Sequence, residues 1–214
     1  MENLPLREKY ARHAGEWSRH SYADPQTYLS RRAELTVSLG PRLEPGDLVL
    51  DLGCGDAGVA DFLLARGVRY RGVDLVPEMV AAARERLDGL AEVEVGDVND
   101  YTPSEPVAAT TVFRAIMFVR DRRAFFRRVT EFTQKKLVFD LNPRQFPLEG
   151  VVADLRAAGL GTIALTPFFV PTSVSLPSPA RALAQALERS GPLARLVLRF
   201  RFSYLVAASR SPSS

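Results

Sequence analysis

The chain has 214 residues, of which 46% are hydrophobic and 25% charged, and its formal net charge at pH 7 is +3. Those values fit one large globular domain, with or without an appended segment, that can bury a substantial core. The single cysteine, Cys54, excludes an intrachain disulfide, and with only two histidines no metal site is expected. No stretch approaches the roughly 20 apolar residues that span a bilayer, and the first residues lack an apolar signal core, so we expect a cytoplasmic protein.

The predicted elements alternate between short apolar runs and helical patterns, which is typical of a parallel sheet built from βαβ units. Amphipathic segments occur first, around residues 10–17 and 28–39. We then predict strands at residues 47–52, 70–75, 92–95, 110–117, 136–141, 162–165 and 199–208, and helices at residues 59–66, 77–87, 122–132, 148–158 and 179–190. Pro77 favours the start of one helix, and Asp121 is placed to cap another.

These elements predict the organisation of the chain into segments. Ligands of an open α/β sheet bind at the carboxyl ends of its strands, so an N-terminal helical segment, residues 1–44, is placed to cover that crevice. We predict a main domain at residues 45–210, with a substrate-side insert at residues 167–198. The last residues, 211–214, are predicted to be disordered.

The most informative stretch follows the first predicted strand and reads VLDLGCGDAG, residues 49–58. Its glycines form the pattern G-x-G-x-x-G, which allows a tight turn and close approach of the backbone to a ligand. Several nucleotide-binding folds share that pattern, so it is weak evidence when taken alone. The acidic residues add information, because those that follow successive strands would project toward one edge of a parallel sheet: Asp51, Asp56, Asp74 and Asp97.

The positions of these acids favour a cationic ligand. Asp74 follows the second glycine by roughly 20 residues, the spacing at which a carboxylate binds a ribose diol. In a dinucleotide the glycine turn faces two phosphates, and repulsion from Asp51 and Asp56 would cost on the order of 1 kcal/mol or more each. S-adenosylmethionine instead carries an ammonium, a carboxylate and a sulfonium there, so its net charge is positive. The amides of the glycine turn could still bind its carboxylate.

At these residues the chain resembles the class I S-adenosylmethionine-dependent methyltransferases. VLDLGCGDAG is similar to the family's first motif, GVDLVPEMV (residues 72–80) to its second, and GDV (residues 96–98) to its third. The resemblance covers roughly residues 45–141. It implies an α/β, Rossmann-like, doubly wound sheet of seven strands with the last strand antiparallel, and S-adenosyl-L-methionine as the cofactor.

The resemblance also implies roles for individual positions. Asp51 and the turn glycines would hold the methionine moiety, Asp74 the ribose, and Asp97 the adenine amino group. In the N-terminal segment of many relatives, an arginine pairs with the cofactor carboxylate, which here would be Arg31 or Arg32, and Trp17 is a further aromatic candidate there. The complete set of expected cofactor-binding residues is Tyr10, Arg32, Asp51, Gly53, Cys54, Gly55, Asp74, Leu75, Met79, Asp97, Val98 and Arg114.

Two departures from the family pattern narrow the function. Arg114 stands in the predicted fourth strand where many relatives carry Asn or Ser, and the NPPY motif of amino methyltransferases is absent. The stretch DLNPRQF, residues 140–146, follows the fifth strand and is therefore not that motif. Methylation of DNA adenine, and with it a DNA partner, is not expected.

Candidate catalytic and substrate-binding residues lie in the N-terminal segment, at strand ends and in the insert. His20 could accept a proton from an acceptor hydroxyl, although a surface or packing role is the simpler interpretation. Arg114 and Arg144 could bind an anionic acceptor, or an ion pair with Asp140 could hold them instead. Further expected substrate contacts are Tyr22, Met117, Phe168 and Phe169.

Three functions stay open at this point. The favoured one is a methyltransferase that acts on a hydroxyl-bearing small molecule, and the apolar insert suits an aromatic or lipid-like acceptor or contact with a membrane surface. The second is an RNA methyltransferase, which the basic runs at residues 114–136 and beyond residue 181 suggest, although no RNA-binding module is recognisable. The third is a non-catalytic partner subunit that binds S-adenosylmethionine.

Overall fold

The computed structural model describes residue 8, residues 10–188 and residues 203–211. Seven strands form one sheet in the order β3-β2-β1-β4-β5-β7-β6. All neighbouring pairs are parallel except those of β7, which is antiparallel to both β5 and β6. The strands are β1 (Leu48–Leu52), β2 (Arg69–Asp74), β3 (Glu92–Val95), β4 (Val107–Val112), β5 (Thr133–Leu141), β6 (Thr162–Phe168) and β7 (Ser203–Ser209). The predicted fold class is confirmed.

Helices cover both faces of this sheet. They are α1 (Trp17–Ser21), α2 (Pro25–Ser38), α3 (Ala60–Leu64), α4 (Pro77–Leu87), α5 (Arg122–Phe132), α6 (Leu148–Ala157) and α7 (Ser178–Glu188). One core cluster joins α2, α3 and α4 to the sheet, and a second joins α5 and α6 to its other face. Every residue of β1 and β4 is buried, as expected of central parallel strands that are covered on both sides.

Two predicted helices have the bounds that their sequence signals indicate. Helix α4 begins at Pro77 and ends before Asp88, which adopts a left-handed conformation with φ 44°. Helix α5 begins after Asp121, whose side chain accepts a hydrogen bond from the amide of Ala124 at 3.0 Å. A helix α2 that starts at Pro25 is capped in the same way by Asp24, which accepts from Thr27. Capping of this kind contributes about 1 kcal/mol per helix.

The largest error in the predicted elements concerns the fourth strand. Residues 110–117 were expected to be extended, but β4 spans Val107–Val112, and the chain leaves the sheet at Phe113. Arg114 follows with φ 53°, in the left-handed region that non-glycine residues rarely adopt. A short 3-10 turn at Ile116–Phe118 comes next. The carboxyl end of β4 therefore lies several residues earlier than the sequence indicated.

Other boundaries shift by a few residues. Strand β5 begins at Thr133, and β6 extends to Phe168 through Pro167, which is tolerated because β6 is an edge strand. The predicted helix at residues 179–190 and strand at residues 199–208 overlap α7 and β7, and residues 189–202 lie outside the described part of the chain. Of the predicted tail, only residue 211 is described.

The N-terminal segment has two structural roles. Helix α2 packs into the main core through Leu29, Ala33 and Leu35, and it is held to β5 by Lys136, whose buried Nζ donates to the carbonyls of Val37 and Leu39. Residues 10–22, which we name the crevice cover, instead cross the carboxyl ends of the strands. Residues of this cover, together with Leu29 and Arg32 of α2, thus line the crevice, and the division of the chain at residue 44 stays a prediction.

The predicted insert is fastened to the N-terminal half of the chain. Glu188, at the end of α7, accepts a hydrogen bond from Arg31 at 2.6 Å and another from the amide of Phe169 at 3.0 Å. Both charged side chains are at least nine-tenths buried. None of the helices in the described ranges is long and apolar enough to cross a lipid bilayer.

Candidate active site

A crevice of about 300 Å³ lies at the carboxyl ends of β1, β2 and β4, beneath the crevice cover. Each wall comes from a different element: the glycine turn after β1, the end of β2, the start of α4, the segment after β3 and the segment after β4. The lining residues are Tyr10, Trp17, Ser18, Tyr22, Leu29, Arg32, Asp51, Gly53, Cys54, Gly55, Asp56, Gly58, Val59, Asp74, Leu75, Val76, Met79, Gly96, Asp97, Val98, Asn99, Phe113, Arg114, Ala115, Met117 and Phe118.

Backbone amides of the glycine turn donate hydrogen bonds to acceptors within the protein. Gly53 and Gly55 have φ values of 79° and 58°, and a Cβ on Gly53 would lie 2.5 Å from Cβ of Ala115, so larger residues do not fit there. The amides of Gly53 and Cys54 donate to the carbonyl of Val73. The amide of Gly55 donates to Asp74 at 2.8 Å. These three amides thus have acceptors within the protein, and the binding of a ligand carboxylate by amides of the turn stays a prediction.

Asp51 lies at the floor of the crevice, and it is 2% exposed. Its two oxygens accept hydrogen bonds from the hydroxyls of Thr111 at 2.6 Å and Tyr70 at 2.9 Å. Burial raises the pKa of Asp51 to about 6, and the two hydroxyls and the charge of Arg32 only partly oppose that effect. The carboxyl group is thus poised to ionise when a positive charge is placed beside it.

Asp74 and Asp97 lie at the ends of β2 and β3. Asp74 accepts from the amides of Gly55 and Val76, and burial raises its pKa. Each oxygen keeps one acceptor position for a further donor. For Asp97, burial acts to raise the pKa, but hydrogen bonds from Asn99 and the charge of Arg120 outweigh it and hold the pKa below its usual value.

Asp56 has a structural role that the sequence did not reveal. It was grouped with the acids that would attract a cation, but it is buried and already bonded. It accepts from the amide and the hydroxyl of Ser18 at 3.0 Å and 2.6 Å, and from Arg86 at 2.9 Å. Gly58 serves the same contact, because a Cβ there would lie 2.2 Å from Oγ of Ser18. Asp56 and Gly58 therefore fasten the crevice cover to the glycine turn.

Aromatic side chains of the cover close the upper side of the crevice. The rings of Tyr10 and Trp17 meet edge to face with centroids 4.7 Å apart, and Trp17 lies against Gly55. The guanidinium carbon of Arg114 lies 5.8 Å from the centroid of Trp17 and 5.4 Å from that of Tyr22, within the range of cation–π attraction. The cover thereby shields part of the glycine turn, in which residues 53–55 are half-buried.

A second charged group lies over β4 and β5. Asp140 accepts from the backbone amide of Arg114 at 2.7 Å and from Nη2 of Arg32 at 3.1 Å. Arg32 is 2% exposed and also donates to the hydroxyl of Tyr28 at 2.8 Å. The predicted pairing of Asp140 with an arginine side chain therefore involves Arg32, whereas Arg114 uses only its amide.

The structure brings most of the predicted site residues into one crevice. All of the expected cofactor-binding residues line it, and so do Tyr22 and Met117 from the expected substrate contacts. His20 does not: it is exposed, and its Nδ1 lies 3.1 Å from the carbonyl oxygen of Glu16. Arg144 is exposed on the loop after β5, outside the lining. Phe168 and Phe169 are buried and do not line the crevice.

Some residues that line the crevice were not predicted from the sequence. Leu29 precedes Arg32 by one helical turn, so the two share a face of α2, and the position of Arg32 could have indicated it. Phe113 was not identified because the predicted fourth strand extended beyond it, whereas β4 ends at Val112. Asn99 orients Asp97 through hydrogen bonds of 2.8 Å and 2.7 Å, and its place two residues after an aspartate is a signal for such local bonding.

The sheet order and the acidic glycine turn together define an α/β protein that binds a nucleoside at the carboxyl ends of its strands. Residues 49–136 match the family model described as a methyltransferase domain. Residues 49–136 are thus similar to a methyltransferase domain, and this match, together with the sheet order, supports the resemblance that the motifs implied and S-adenosylmethionine as the cofactor.

Three relatives show the extent of the similarity. A probable fatty acid methyltransferase of Mycobacterium tuberculosis is 42% identical over 64 residues, which cover 28% of this chain and 15% of that protein. A chain of the complex between the Haloferax volcanii Trm112 methyltransferase activator and the putative methyltransferase has 17% identity and a TM-score of 0.64, covering 95% of this chain and 98% of that chain. Phosphoethanolamine N-methyltransferase 2 of Haemonchus contortus, solved with S-adenosyl-L-methionine, has 18% identity and a TM-score of 0.60, covering 85% of this chain and 52% of that chain. The curated relatives are matched over only 15% to 28% of their own length.

The residues of the crevice fit this cofactor. Among the described residues, neither Asp51 nor Asp74 has an arginine or lysine at ion-pair distance, so both negative charges are available to a cationic ligand. Asp74 keeps acceptor positions for a diol, and Leu75 and Val98 line the crevice with apolar side chains. The crevice thus presents acidic and apolar groups in the order that the motifs imply.

Proposed function

We propose that this protein transfers the methyl group of S-adenosylmethionine to a small-molecule acceptor that bears a hydroxyl group and is aromatic or lipid-like. The observation that carries the proposal is the acidic floor of the crevice, where neither Asp51 nor Asp74 has an arginine or lysine at ion-pair distance among the described residues. A dinucleotide would place phosphates against these carboxylates, at a cost in free energy. A cationic nucleoside is attracted by them instead.

The chain's own residues act by binding, orienting and excluding water. When bound, S-adenosylmethionine supplies an electrophilic methyl group on a positively charged sulfur. Asp74 would hold the ribose diol, and the carboxylate of Asp51 would offset part of the ligand's positive charge. The crevice cover shields the reacting groups, and positioning of two reactants in a dry crevice can provide much of the rate enhancement.

Proton removal by His20 has no support in the geometry. His20 lies on the outer side of the cover, and it does not line the crevice. A hydroxyl acceptor in this site would release its proton to water or to another group during or after methyl transfer. The proposed catalysis therefore depends on orientation and not on a histidine base.

The nature of the acceptor is supported by the lining and by the relatives. Aromatic and apolar side chains dominate the upper wall, where Trp17, Tyr22 and Met117 lie. Two of the three relatives reported above are named for a fatty acid and for phosphoethanolamine. An acceptor of small size, with an apolar or amphipathic body, suits a crevice of this volume better than a folded nucleic acid does.

Calorimetric titration tests the proposal. Wild-type protein is expected to bind S-adenosylmethionine and S-adenosylhomocysteine but not NAD. Asp74→Ala should lower the affinity for S-adenosylmethionine by roughly tenfold or more, because hydrogen bonds to a charged group contribute about 1.5–3 kcal/mol. Glu78→Gln, which removes an exposed carboxylate from the first turn of α4, is the matched control and should leave the affinity unchanged.

Transfer itself is tested with labelled cofactor. Incubation of metabolite extracts with methyl-labelled S-adenosylmethionine should transfer label to a small molecule that can then be isolated. Label in RNA but not in small molecules would contradict the proposed acceptor. Binding of the cofactor without transfer to any acceptor would favour a non-catalytic subunit.

A further inference from the structure

The charges around the crevice are unevenly distributed along the sheet edge. Over β3, β2 and β1 lie the acids that the motifs assign to the cofactor, Asp97, Asp74 and Asp51. The next strands along the edge are β4 and β5, and there the charged groups are Arg114, Arg32 and Asp140. Since the cofactor's adenine, ribose and methionine parts are assigned to β3, β2 and β1, the edge over β4 and β5 adjoins the side from which the acceptor must approach.

Arg114 is held in an unusual backbone conformation at this edge. Its φ of 53° is disfavoured for a residue with a side chain, and such strain persists only where surrounding contacts impose it. The contact here is the hydrogen bond of 2.7 Å from its amide to Asp140. The conformation carries the side chain out of the strand direction, and its guanidinium lies over Trp17 and Tyr22 in the crevice wall. Among the residues that the structure describes, no carboxylate lies at ion-pair distance from this guanidinium.

Arg32 adds a second positive charge directly behind this position. It lines the crevice, is 2% exposed, and is surrounded by the rings of Tyr28, Phe113 and Phe168. Its Nη2 donates to Asp140 and Tyr28, whereas its buried Nε has no hydrogen-bond partner in the described part of the chain. Asp140 therefore pairs with the guanidinium of Arg32 and not with that of Arg114, and two positive charges beside one negative charge leave this edge of the crevice with a net positive charge.

We propose that Arg114, with the charge of Arg32 behind it, binds an anionic group of the methyl acceptor, either a carboxylate or a phosphate. This inference rests on the proposed function and specifies its substrate class. Guanidinium groups match the geometry of both anions and hold them through charge-assisted hydrogen bonds. The crevice would then attract a cationic cofactor over β1–β3 and an anionic acceptor over β4–β5, and each bound molecule would strengthen the binding of the other.

The experiment uses the single tryptophan of the chain, Trp17, as the reporter, because its ring lies 5.8 Å from the Arg114 guanidinium. Protein saturated with S-adenosylhomocysteine is titrated with octanoate and octyl phosphate, and with the neutral compounds octanamide and octanol, while Trp17 fluorescence is followed. We expect at least one anion to bind roughly tenfold or more tightly than its neutral counterpart. Whichever anion shows the larger preference identifies the acceptor group as carboxylate or phosphate.

Three variants assign the preference to Arg114. Arg114→Met, which keeps an unbranched side chain, should abolish the preference for the anion, and Arg114→Lys should retain part of it. Arg144→Met removes a similar charge from the exposed loop outside the crevice and should retain all of it. Affinity for S-adenosylhomocysteine is measured separately by calorimetry in all three, and Arg144→Met, which lies outside the crevice, should keep it within about twofold of the wild-type value.

The outcomes separate this inference from the function on which it rests. Failure of the wild type to bind S-adenosylhomocysteine would contradict the proposed function itself. Binding of S-adenosylhomocysteine without preference for either anion would overturn only the inference. The inference would also be overturned if Arg114→Met lost affinity for S-adenosylhomocysteine and kept the anion preference, since Arg114 would then bind the cofactor's carboxylate.

Discussion

Asp51 is the residue at which the structure adds most to the sequence. The sequence indicates a carboxylate at the end of the first strand, but only the fold shows that it is buried and that both oxygens are occupied by Thr111 and Tyr70. With a pKa of about 6, it is partly protonated in mildly acidic solution. Its contribution to ligand binding is therefore electrostatic, because its hydrogen-bonding positions toward these hydroxyls are already used.

The affinity for S-adenosylmethionine is expected to depend on pH through Asp51. A cation beside the carboxyl group favours its ionised form, so binding lowers a pKa that burial has raised to about 6. Affinity should therefore rise as pH increases from 5 to 7, by up to about tenfold, and level off above. Calorimetry across that range in Asp51→Asn provides the comparison. The variant has no proton to release, and an equally steep rise in it would assign the effect to other groups, such as Asp74 or the ligand's own amino group.

The sequence indicated which individual residues carry the chemistry of the site. It indicated less well which other residues they contact in the fold. Asp74 and Asp97 were placed correctly because the ends of parallel strands share one edge of the sheet. The partner of Asp56 was not predictable, since Ser18 lies in a different segment and no local pattern links the two. Arg144 and His20 were chosen for their chemistry alone, and the fold leaves both outside the crevice.

At the scale of elements, the contact between the crevice cover and the glycine turn is close enough to be tested by one added methyl group. Gly58→Ala would place a Cβ 2.2 Å from Oγ and 3.2 Å from Cβ of Ser18, so the cover must shift. Overpacking of this kind costs about 1–3 kcal/mol of unfolding free energy. Urea denaturation should show that loss, together with weaker binding of S-adenosylhomocysteine.

A double variant distinguishes this clash from a general defect of α3. Ser18→Ala alone should also destabilise, because it leaves Asp56 with one hydrogen bond fewer. Combined with Gly58→Ala it removes the atom nearest the new Cβ, so the double variant should be less destabilised than the sum of the single ones. Strict additivity would show that the cover and the turn are not in contact in solution.

The bounds of an element were predicted to the residue where the sequence carries a strong signal for its start, such as a proline or a capping aspartate. The bounds of elements without such a signal were not. Helices α4 and α5 have Pro77 and Asp121 at their starts, and both were bounded correctly. Strand β4 ends at a turn that depends on Arg114 in a left-handed conformation, which no propensity favours. Its end is imposed by the hydrogen bond to Asp140 on β5, a contact between distant parts of the chain.

For the whole molecule, Lys136 makes stability dependent on pH. Lys136 is 1% exposed, and burial lowers the pKa of its amino group to about 7. Between pH 7 and 9 the unfolded chain binds a proton there that the folded chain has largely lost, so the free energy of unfolding should increase by about 2 kcal/mol. Asp51 has the opposite effect on the free energy of unfolding at lower pH. Because burial raises its pKa to about 6, its protonated form stabilises the folded protein in acid, and this contribution is lost as pH rises through about 6.

Chemical denaturation at several pH values tests this expectation. Lys136→Met keeps the length of the side chain and has no group to titrate, so its unfolding free energy should be nearly constant between pH 7 and 9. Lys135→Met changes the adjacent residue, which is partly exposed and paired with Asp47, and should preserve the increase. The same increase in Lys136→Met would mean that other groups cause it.

The position of β7 has a consequence for the order in which the protein assembles. Strand β7 follows β6 in the chain but is inserted between β5 and β6. While the polypeptide is being synthesised, the β5 edge remains open and β6 has no neighbour until β7 has left the ribosome. The last part of the sheet should therefore form only after translation of β7, and a nascent chain halted before it would expose an unpaired edge to chaperones or to other chains.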